Sequence, residues 1–312
     1  MSGKKIVVLG TGGTIAGTAS EAGDNIGYTA AQVGVAQLLA AIPQMRHQPV
    51  VTEQVAQVDS KDMEHALWQQ LALRCDHWLR QDDVQGLVIT HGTDTLEETA
   101  YFLQAVLQPA KPVVLTCAMR PSTALVPAGP QNLLDACAVA AWPGASGVVA
   151  VCAGTVHGAL DVQKVHTYRL DAFGSGDAGP LGYVEEGALR LVRNWPEVQA
   201  SRPLHAMEKL ANLKTWPRVE IVMSHAGAGA GLVQALVAQG VDGIVVAGTG
   251  NGSLHRVLEA ALVEAQARGV QVVCATRCPN GRVLPKPADA FRDSAGLSPV
   301  KARIALMLAL MG

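Results

Sequence analysis

The sequence predicts an α/β protein of two domains: a larger N-terminal one on a mainly parallel, doubly wound sheet, and a smaller C-terminal one on a flavodoxin-like parallel sheet. Three observations predict it. Apolar runs of strand length alternate with amphipathic runs of helix length. Most of the strand-like runs are continuous in Val, Ile and Leu, as strands buried on both faces are. The rhythm stops in mid-chain and then resumes, which suits 312 residues at roughly 150 per domain.

In chain order, strands are expected at residues 5–10, 50–58, 84–91, 112–119 and 147–153. Helices are expected between them at 30–41, 61–81, 95–107 and 130–141. Such an alternation implies βαβ crossovers, hence parallel pairing with helices on both faces. Residues 155–181 carry Gly, Asp and Pro without a clear period. A hairpin is expected at 182–185 and 188–192, turning at Glu186-Gly187. Residues 194–217 hold three prolines and mixed charge, and read as a linker with one helical turn between domains at 1–193 and 218–312. Beyond them, strands are expected at 219–224, 243–247 and 270–276, and helices at 231–239, 253–268 and 298–311.

Composition narrows the function. Apolar residues are 49% and charged residues 16% of the chain, enough for a large core and against disorder. With 24 Lys+Arg against 26 Asp+Glu, the net charge of −2 offers no electrostatic grip on nucleic acid. Mean hydropathy is +0.22, yet no run of about 18 apolar residues exists to span a membrane. Lys4 and Lys5 precede only four apolar residues before a glycine loop, too few for a signal peptide, so a cytoplasmic protein is expected. The six cysteines are scattered, with no CxxC pair. They read as core residues, not as disulfides or zinc ligands.

Polar clusters follow the strands, where ligands bind in open parallel sheets. After the first strand stands GTGGTIAG, residues 10–17. It departs from a dinucleotide fingerprint because Ile15 occupies the third glycine position. It offers two threonines, glycines that allow close backbone approach, and then a Gly/Ala/Ser/Asp-rich stretch suited to a mobile lid. After the third strand stands THGTDTLEET, residues 90–99. Thr95 and Glu98 read as a capping box; Thr93 and Asp94 are left over, and a carboxylate beside a hydroxyl suits a ligand's ammonium. His91, ending a buried strand, reads as a hydrogen-bonded structural residue. Lys164 reads in isolation as a surface lysine; drawn into a pocket it would be a candidate base. Residues 248–253 (GTGNGS) read as a glycine-rich βα turn with Ser253 as N-cap. Together these point to hydroxyl-nucleophile chemistry on a small amino-acid-like substrate. A phosphate-binding nucleotide protein is a rival that the absent third glycine and P-loop disfavour.

The chain resembles the bacterial-type L-asparaginase family. TGGTIAG (11–17) and HGTDTLEETAYF (91–102) match its two signatures, and AMRPST (118–123) and GPQNL (129–133) match further blocks. Gly27–Thr29, Asp59-Ser60, Asp161–Lys164, Gly179–Tyr183 and Gly250–Gly252 follow in family order, so the resemblance covers nearly the whole chain. It implies hydrolysis of L-asparagine to L-aspartate and ammonia with no cofactor and no metal. Thr14 matches the nucleophile that forms an acyl-enzyme, and Tyr28 the lid tyrosine that helps activate it. Lys164 matches a base toward Thr93, with Asp94 also holding the substrate ammonium. Ser60 matches the residue that binds the α-carboxylate; Gly13, Lys61, Gly92 and Ala118 complete the expected binding set, with backbone groups near Gly13 and Thr93 as oxyanion donors.

The resemblance also implies a homo-oligomer, a tetramer of intimate dimers, whose C-terminal domain completes the partner subunit's site through Asn251 and Ser253. Two departures stand out. Lys61 follows Ser60 where many members carry Gln or an acid, and it is expected to point at the carboxylate or across the interface. The loop at 277–287 (RCPNGRVLPKP) lacks the acid many members bring to the partner. Low glutaminase activity is therefore expected. A catalytically weak amino-acid-binding protein of the same fold is the alternative, and an amidotransferase subunit is disfavoured by the absence of its extra N-terminal domain.

Overall fold

A computed structural model describes residues 4–21, 23–46, 48–196 and 206–312. Two compact units divide the chain between Asn212 and Leu213.

The first unit contains β1 (Lys5–Gly12), α1 (Val35–Ala40), β2 (Val50–Val58), α2 (His65–Leu79), β3 (Val84–Thr90), α3 (Leu96–Leu107), β4 (Val113–Thr116), α4 (Gly129–Ala141) and β5 (Val148–Cys152). These strands pair in parallel in the order β2-β1-β3-β4-β5. Successive residues point to opposite faces. Ile6, Val8, Val88, Val114 and Val149 therefore pack with α1 and α4, while α2 and α3 lie together against β2, β3 and β5. This is the doubly wound sheet the sequence predicts. The chain leaves β1 for β2 on one side and returns to β3 on the other, which opens a crevice at the carboxyl ends of β1 and β3.

The aperiodic segment extends the sheet. β6 (Thr155–Gly158) turns back antiparallel on β5. The turn places Ala153 at φ 50° and Gly154 at φ 72°, the left-handed pair of a type I′ hairpin. β7 (Gln163–Lys164) and β8 (Phe173–Gly174) form a small ribbon, and β9 (Gly182–Glu185) and β10 (Ala188–Leu191) the expected hairpin at the sheet's edge.

Within the predicted linker at 194–217, α5 (Ala206–Asn212) is a helix of seven residues in the first unit, packed on α2 and α3. Leu210 is buried and its carbonyl accepts from the Gln69 amide. Residues 197–205 lie outside the described residues.

The second unit runs β11 (Val219–Met223), α6 (Gly231–Ala238), β12 (Gly243–Gly248), α7 (Arg256–Ala267), β13 (Gln271–Thr276), β14 (Arg292–Asp293) and α8 (Pro299–Leu310). Its four strands are parallel and lie in chain order. Val222, Ile244, Val246 and Val272 pack with α6 and α7, and α8 covers the other face.

Three local expectations are corrected. The helix expected from residue 30 begins at Val35, because Ala31 takes a left-handed φ of 58° and the Gln54 side chain accepts the Val35 N–H at 2.8 Å. The helix expected from residue 61 is split into a 3₁₀ turn, Ser60–Asp62, and α2, by Met63 in extended backbone. Ser253 is not an N-cap: α7 is capped by His255, whose Nδ1 accepts from the Val257 N–H. Of the cysteines, Cys75, Cys117, Cys152 and Cys274 are buried as expected, Cys137 is half-buried, and Cys278 is exposed in the loop after β13.

Candidate active site

β1 ends in the glycine pair that shapes the crevice. Gly12 and Gly13 have φ of 107° and 81°, a region L side chains avoid. A Cβ on Gly13 would overlap the backbone of Gly92, and one on Gly92 would overlap the Ser60 hydroxyl. The segments following β1 and β3 thus touch backbone to backbone, and the Ser60 side chain, following β2, closes directly on Gly92. The Thr11 hydroxyl donates to the Thr90 carbonyl at 2.8 Å and fixes the same ends.

Thr14 opens the 3₁₀ turn Thr14–Ala16 and is buried. Ile15 and Ala16 pack on Ala118, beyond the end of β4. The Thr14 hydroxyl shares a 2.7 Å hydrogen bond with the Tyr28 hydroxyl. Tyr28 is reached by a loop clipped at its base: Thr18 and Thr29 bridge, and Ser122 donates its backbone N–H and its hydroxyl to the Gly17 carbonyl. Thr123 accepts the Ala19 N–H at 2.9 Å. The roles of Ser122 and Thr123 as clips were missed by the sequence reading, which had only their place in a matching block.

Thr93, Asp94 and Lys164 come together from the start of α3 and from β7. Lys164 Nζ donates to Thr93 Oγ1 at 2.8 Å and to Asp94 Oδ1 at 2.6 Å. Lys164 is therefore not a free surface lysine. Buried Val162 anchors its segment, and its backbone N–H donates to Glu97 Oε1 at 3.2 Å. Asp94 and Glu97 sit where a helix N-terminus favours carboxylates. Thr95 forms no capping box, because its hydroxyl donates to the Ser60 carbonyl at 2.8 Å. Ser60 is buried, and its hydroxyl accepts the Asp94 N–H at 3.1 Å.

Lys61 is exposed and held by neighbouring carboxylates. Its ammonium pairs with Asp62 at 2.5 Å and with Asp59 at 3.7 Å, and the Asp62 hydrogen bond raises its pKa.

The candidate oxyanion donors can be sorted by their partners. The Gly13 N–H is committed to the Val58 carbonyl at 2.9 Å. The N–H groups of Thr14 and Thr93 make no hydrogen bond to the described residues. The free donor near Gly13 is thus that of Thr14.

In the second unit, Thr249 and Ser253 bridge, and the Ser253 side chain is exposed. Asn251 donates to the Leu284 carbonyl at 3.1 Å and accepts its N–H at 2.7 Å. Its amide pins the loop at 277–287.

His91 is buried and hydrogen-bonded on both ring nitrogens, as read from the sequence. It is fully buried, and burial pushes its pKa down from 6.5 to about 4. The unfolded chain binds a proton at this position near pH 6.5, while the folded chain stays neutral until about pH 4. His91 therefore withdraws stability as pH falls through that window, by about 3 kcal/mol. The drop in melting temperature between pH 7.5 and 4.5 is expected to be smaller in His91→Asn, from a lower starting point. An equal drop in both proteins would show that His91 carries no such linkage.

The sequence profile described as "Asparaginase, N-terminal" matches residues 5–197, and that described as "Glutaminase/Asparaginase C-terminal domain" matches residues 218–312. The L-asparaginase 2 of Bacillus subtilis strain 168 is 40% identical over 311 residues, covering 98% of this chain and 82% of its own. The glutaminase-asparaginase of Pseudomonas fluorescens biotype A is 37% identical over 317 residues, covering 98% and 86%. The crystal structure of a probable cytoplasmic L-asparaginase from Campylobacter jejuni superposes with a TM-score of 0.92 at 38% identity, covering 98% of this chain and 95% of its own.

Proposed function

The chain belongs to the asparaginase family of amidohydrolases, and from that premise we propose that it hydrolyses L-asparagine to L-aspartate and ammonia with Thr14 as nucleophile. The observation that carries this reading is the arrangement of two hydroxyl systems, Thr14–Tyr28 and Thr93–Lys164–Asp94, on segments in direct contact at Gly13 and Gly92.

The Tyr28 hydroxyl, hydrogen-bonded to Thr14 at 2.7 Å, relays the Thr14 proton toward the departing amide nitrogen, giving up its own proton as it takes that of Thr14, while Thr14 Oγ1 attacks the side-chain amide carbon. Charge on the carbonyl oxygen is met by the N–H groups of Thr14 and Thr93, each such donor typically worth about 3 kcal/mol of barrier. The C–N bond breaks, ammonia leaves with a proton, and an aspartyl ester of Thr14 remains. Water then attacks the ester and frees aspartate. For the Thr93 system, Lys164 Nζ is placed to exchange a proton with Thr93 Oγ1 along their 2.8 Å contact, and Asp94 Oδ1 lies beside it to balance the charge of its ammonium. Asp94 Oδ2 is left for the substrate's ammonium. The Ser60 hydroxyl proton, without an acceptor among the described residues, is left for the α-carboxylate.

We further propose a homo-oligomer in the cytoplasm. Leu160, Val165, Tyr168 and Leu170 leave apolar side chains exposed on the segment that carries Lys164, which suits coverage by a second copy. The partner's contribution is proposed to come from Ser253 and from the loop pinned by Asn251. No helix of the described residues is long and apolar enough to cross a membrane.

Ammonia release from L-asparagine and L-glutamine by the pure protein tests the reading. With Lys61 held by Asp62 and no acid at 277–287, nothing added here holds the amine of a longer substrate. One extra methylene typically discriminates by about 10–200-fold, so kcat/KM for glutamine is expected at least about tenfold below asparagine. Comparable turnover of both would defeat the specificity claim, and release from neither would defeat the reaction.

A further inference from the structure

A buried hydrogen-bond chain runs from α2 to the Gly92–Thr93 peptide. Trp68 Nε1–H donates to Thr99 Oγ1 at 2.9 Å. Thr99 Oγ1 lies 2.9 Å from His91 Nε2, and His91 Nδ1 lies 2.7 Å from the Gly92 carbonyl. Thr99 and His91 are fully buried and Trp68 nearly so.

The direction of every bond follows from donor chemistry. Indole nitrogen only donates and a carbonyl only accepts, so Thr99 accepts from Trp68, and the single proton of the neutral His91 ring faces the Gly92 carbonyl from Nδ1. Nε2 is then unprotonated and accepts from the Thr99 hydroxyl. The other neutral tautomer would set an unprotonated Nδ1 against the Gly92 carbonyl, two buried acceptors with no proton between them. The chain thus admits one neutral tautomer, and that tautomer holds the Gly92 carbonyl toward the interior. In a trans peptide the following N–H points the opposite way. That N–H belongs to Thr93, and it makes no hydrogen bond to the described residues.

We propose that Trp68, Thr99 and His91 are positioning residues that act through the Gly92 carbonyl to aim the Thr93 N–H at the substrate's developing oxyanion. This rests on the asparaginase reading. A donor aimed at charge that exists only in the transition state affects kcat more than KM. Trp68 is 31 residues from its first partner and stacks on Phe102 at 5.1 Å; that apolar contact alone would account for a phenylalanine.

The test uses three variants of the full chain, each compared with wild type for melting temperature, kcat and KM on L-asparagine. Thr99→Val keeps the shape and removes the hydroxyl. Trp68→Phe keeps the stacking and removes the donor. Thr99→Ser restores the hydroxyl. Thr99→Val is expected to lose about tenfold or more in kcat, less than complete removal of an oxyanion donor costs, with KM within about twofold. Trp68→Phe loses several-fold in kcat, and Thr99→Ser is near wild type. Folded Thr99→Val and Trp68→Phe with wild-type kcat would overturn the proposal, as would a change confined to KM. Misfolding of both beside a wild-type Thr99→Ser would make the chain a stability device and overturn it too. An inactive wild type would instead remove the asparaginase reading, so the two failures are distinguishable.

Discussion

Thr14→Ala is expected to fold and to lose at least about 10⁴-fold in kcat on L-asparagine, the scale on which removal of a covalent nucleophile is felt. The change deletes one hydroxyl whose protein partner is the Tyr28 hydroxyl. A single hydrogen bond between hydroxyls contributes about 1 kcal/mol to stability, so the melting temperature should move by only a few degrees. KM should change little, because Ser60 and Asp94 lie on other segments. Ammonia release and a burst measurement of the acyl-enzyme check both halves. Retention of more than about 1% of kcat, far above what loss of a nucleophile permits, would move the nucleophilic role to Thr93.

Lys164→Met is expected to cost about 10²- to 10⁴-fold in kcat, the range for loss of a positioned general base. Methionine preserves length and much of the volume, and the backbone N–H at this position can still donate to Glu97. What disappears is the nitrogen between Thr93 Oγ1 and Asp94 Oδ1. Asp94 keeps its carboxylate for the substrate ammonium, so KM should rise by much less than kcat falls. Steady-state kinetics on L-asparagine decide it, and a loss below tenfold would take Lys164 out of the proton path.

The parallel strands were legible because burial on both faces writes itself as unbroken Val/Ile/Leu runs. β4 (VVLT) and β5 (VVAVC) are buried along their whole length, and β1 along nearly all of its own. The glycine turn after β1 was legible because only glycine tolerates φ of 107° and 81° there. What escaped was chemistry carried by residues that do not usually do it. Ala153 and Ala31 adopt left-handed backbone without being Gly or Asn. The first is held by the Asn132 side chain, which accepts its N–H, and the second by an N–H bond to the Gly13 carbonyl. Local sequence cannot show such long-range holds, so β6 and the late start of α1 went unseen.

The same reason governs the site. Thr14, Thr93, Asp94 and Lys164 were legible through a family resemblance, and their residue types suit the chemistry. Their supports were not: Glu97 beneath Lys164 is 67 residues away, and Ser122 beneath Gly17 is 105 away. Thr95 shows the opposite case. Its capping-box pattern was present, but a nearby buried carbonyl competed for the hydroxyl and won.

The contact of Gly13, Gly92 and Ser60 also bears on how this protein can diversify. Where a single added carbon would strike the Gly92 backbone, as at Gly13, or the Ser60 side chain, as at Gly92, mutation has almost no viable steps, and drift at the two glycines is closed. Variation must accumulate in segments whose side chains meet open space. The loop from Gly17 to Tyr28 is one, with Ile26 extending into solvent, and the stretch at 277–287 is another, with exposed Leu284. Between the fixed points at Gly17 and Tyr28, and beyond the Asn251 clamp on Leu284, exposed positions such as these can change charge without touching the glycine contact. Selection for a new amide substrate would therefore rewrite the periphery and leave the reacting threonines in an unaltered frame.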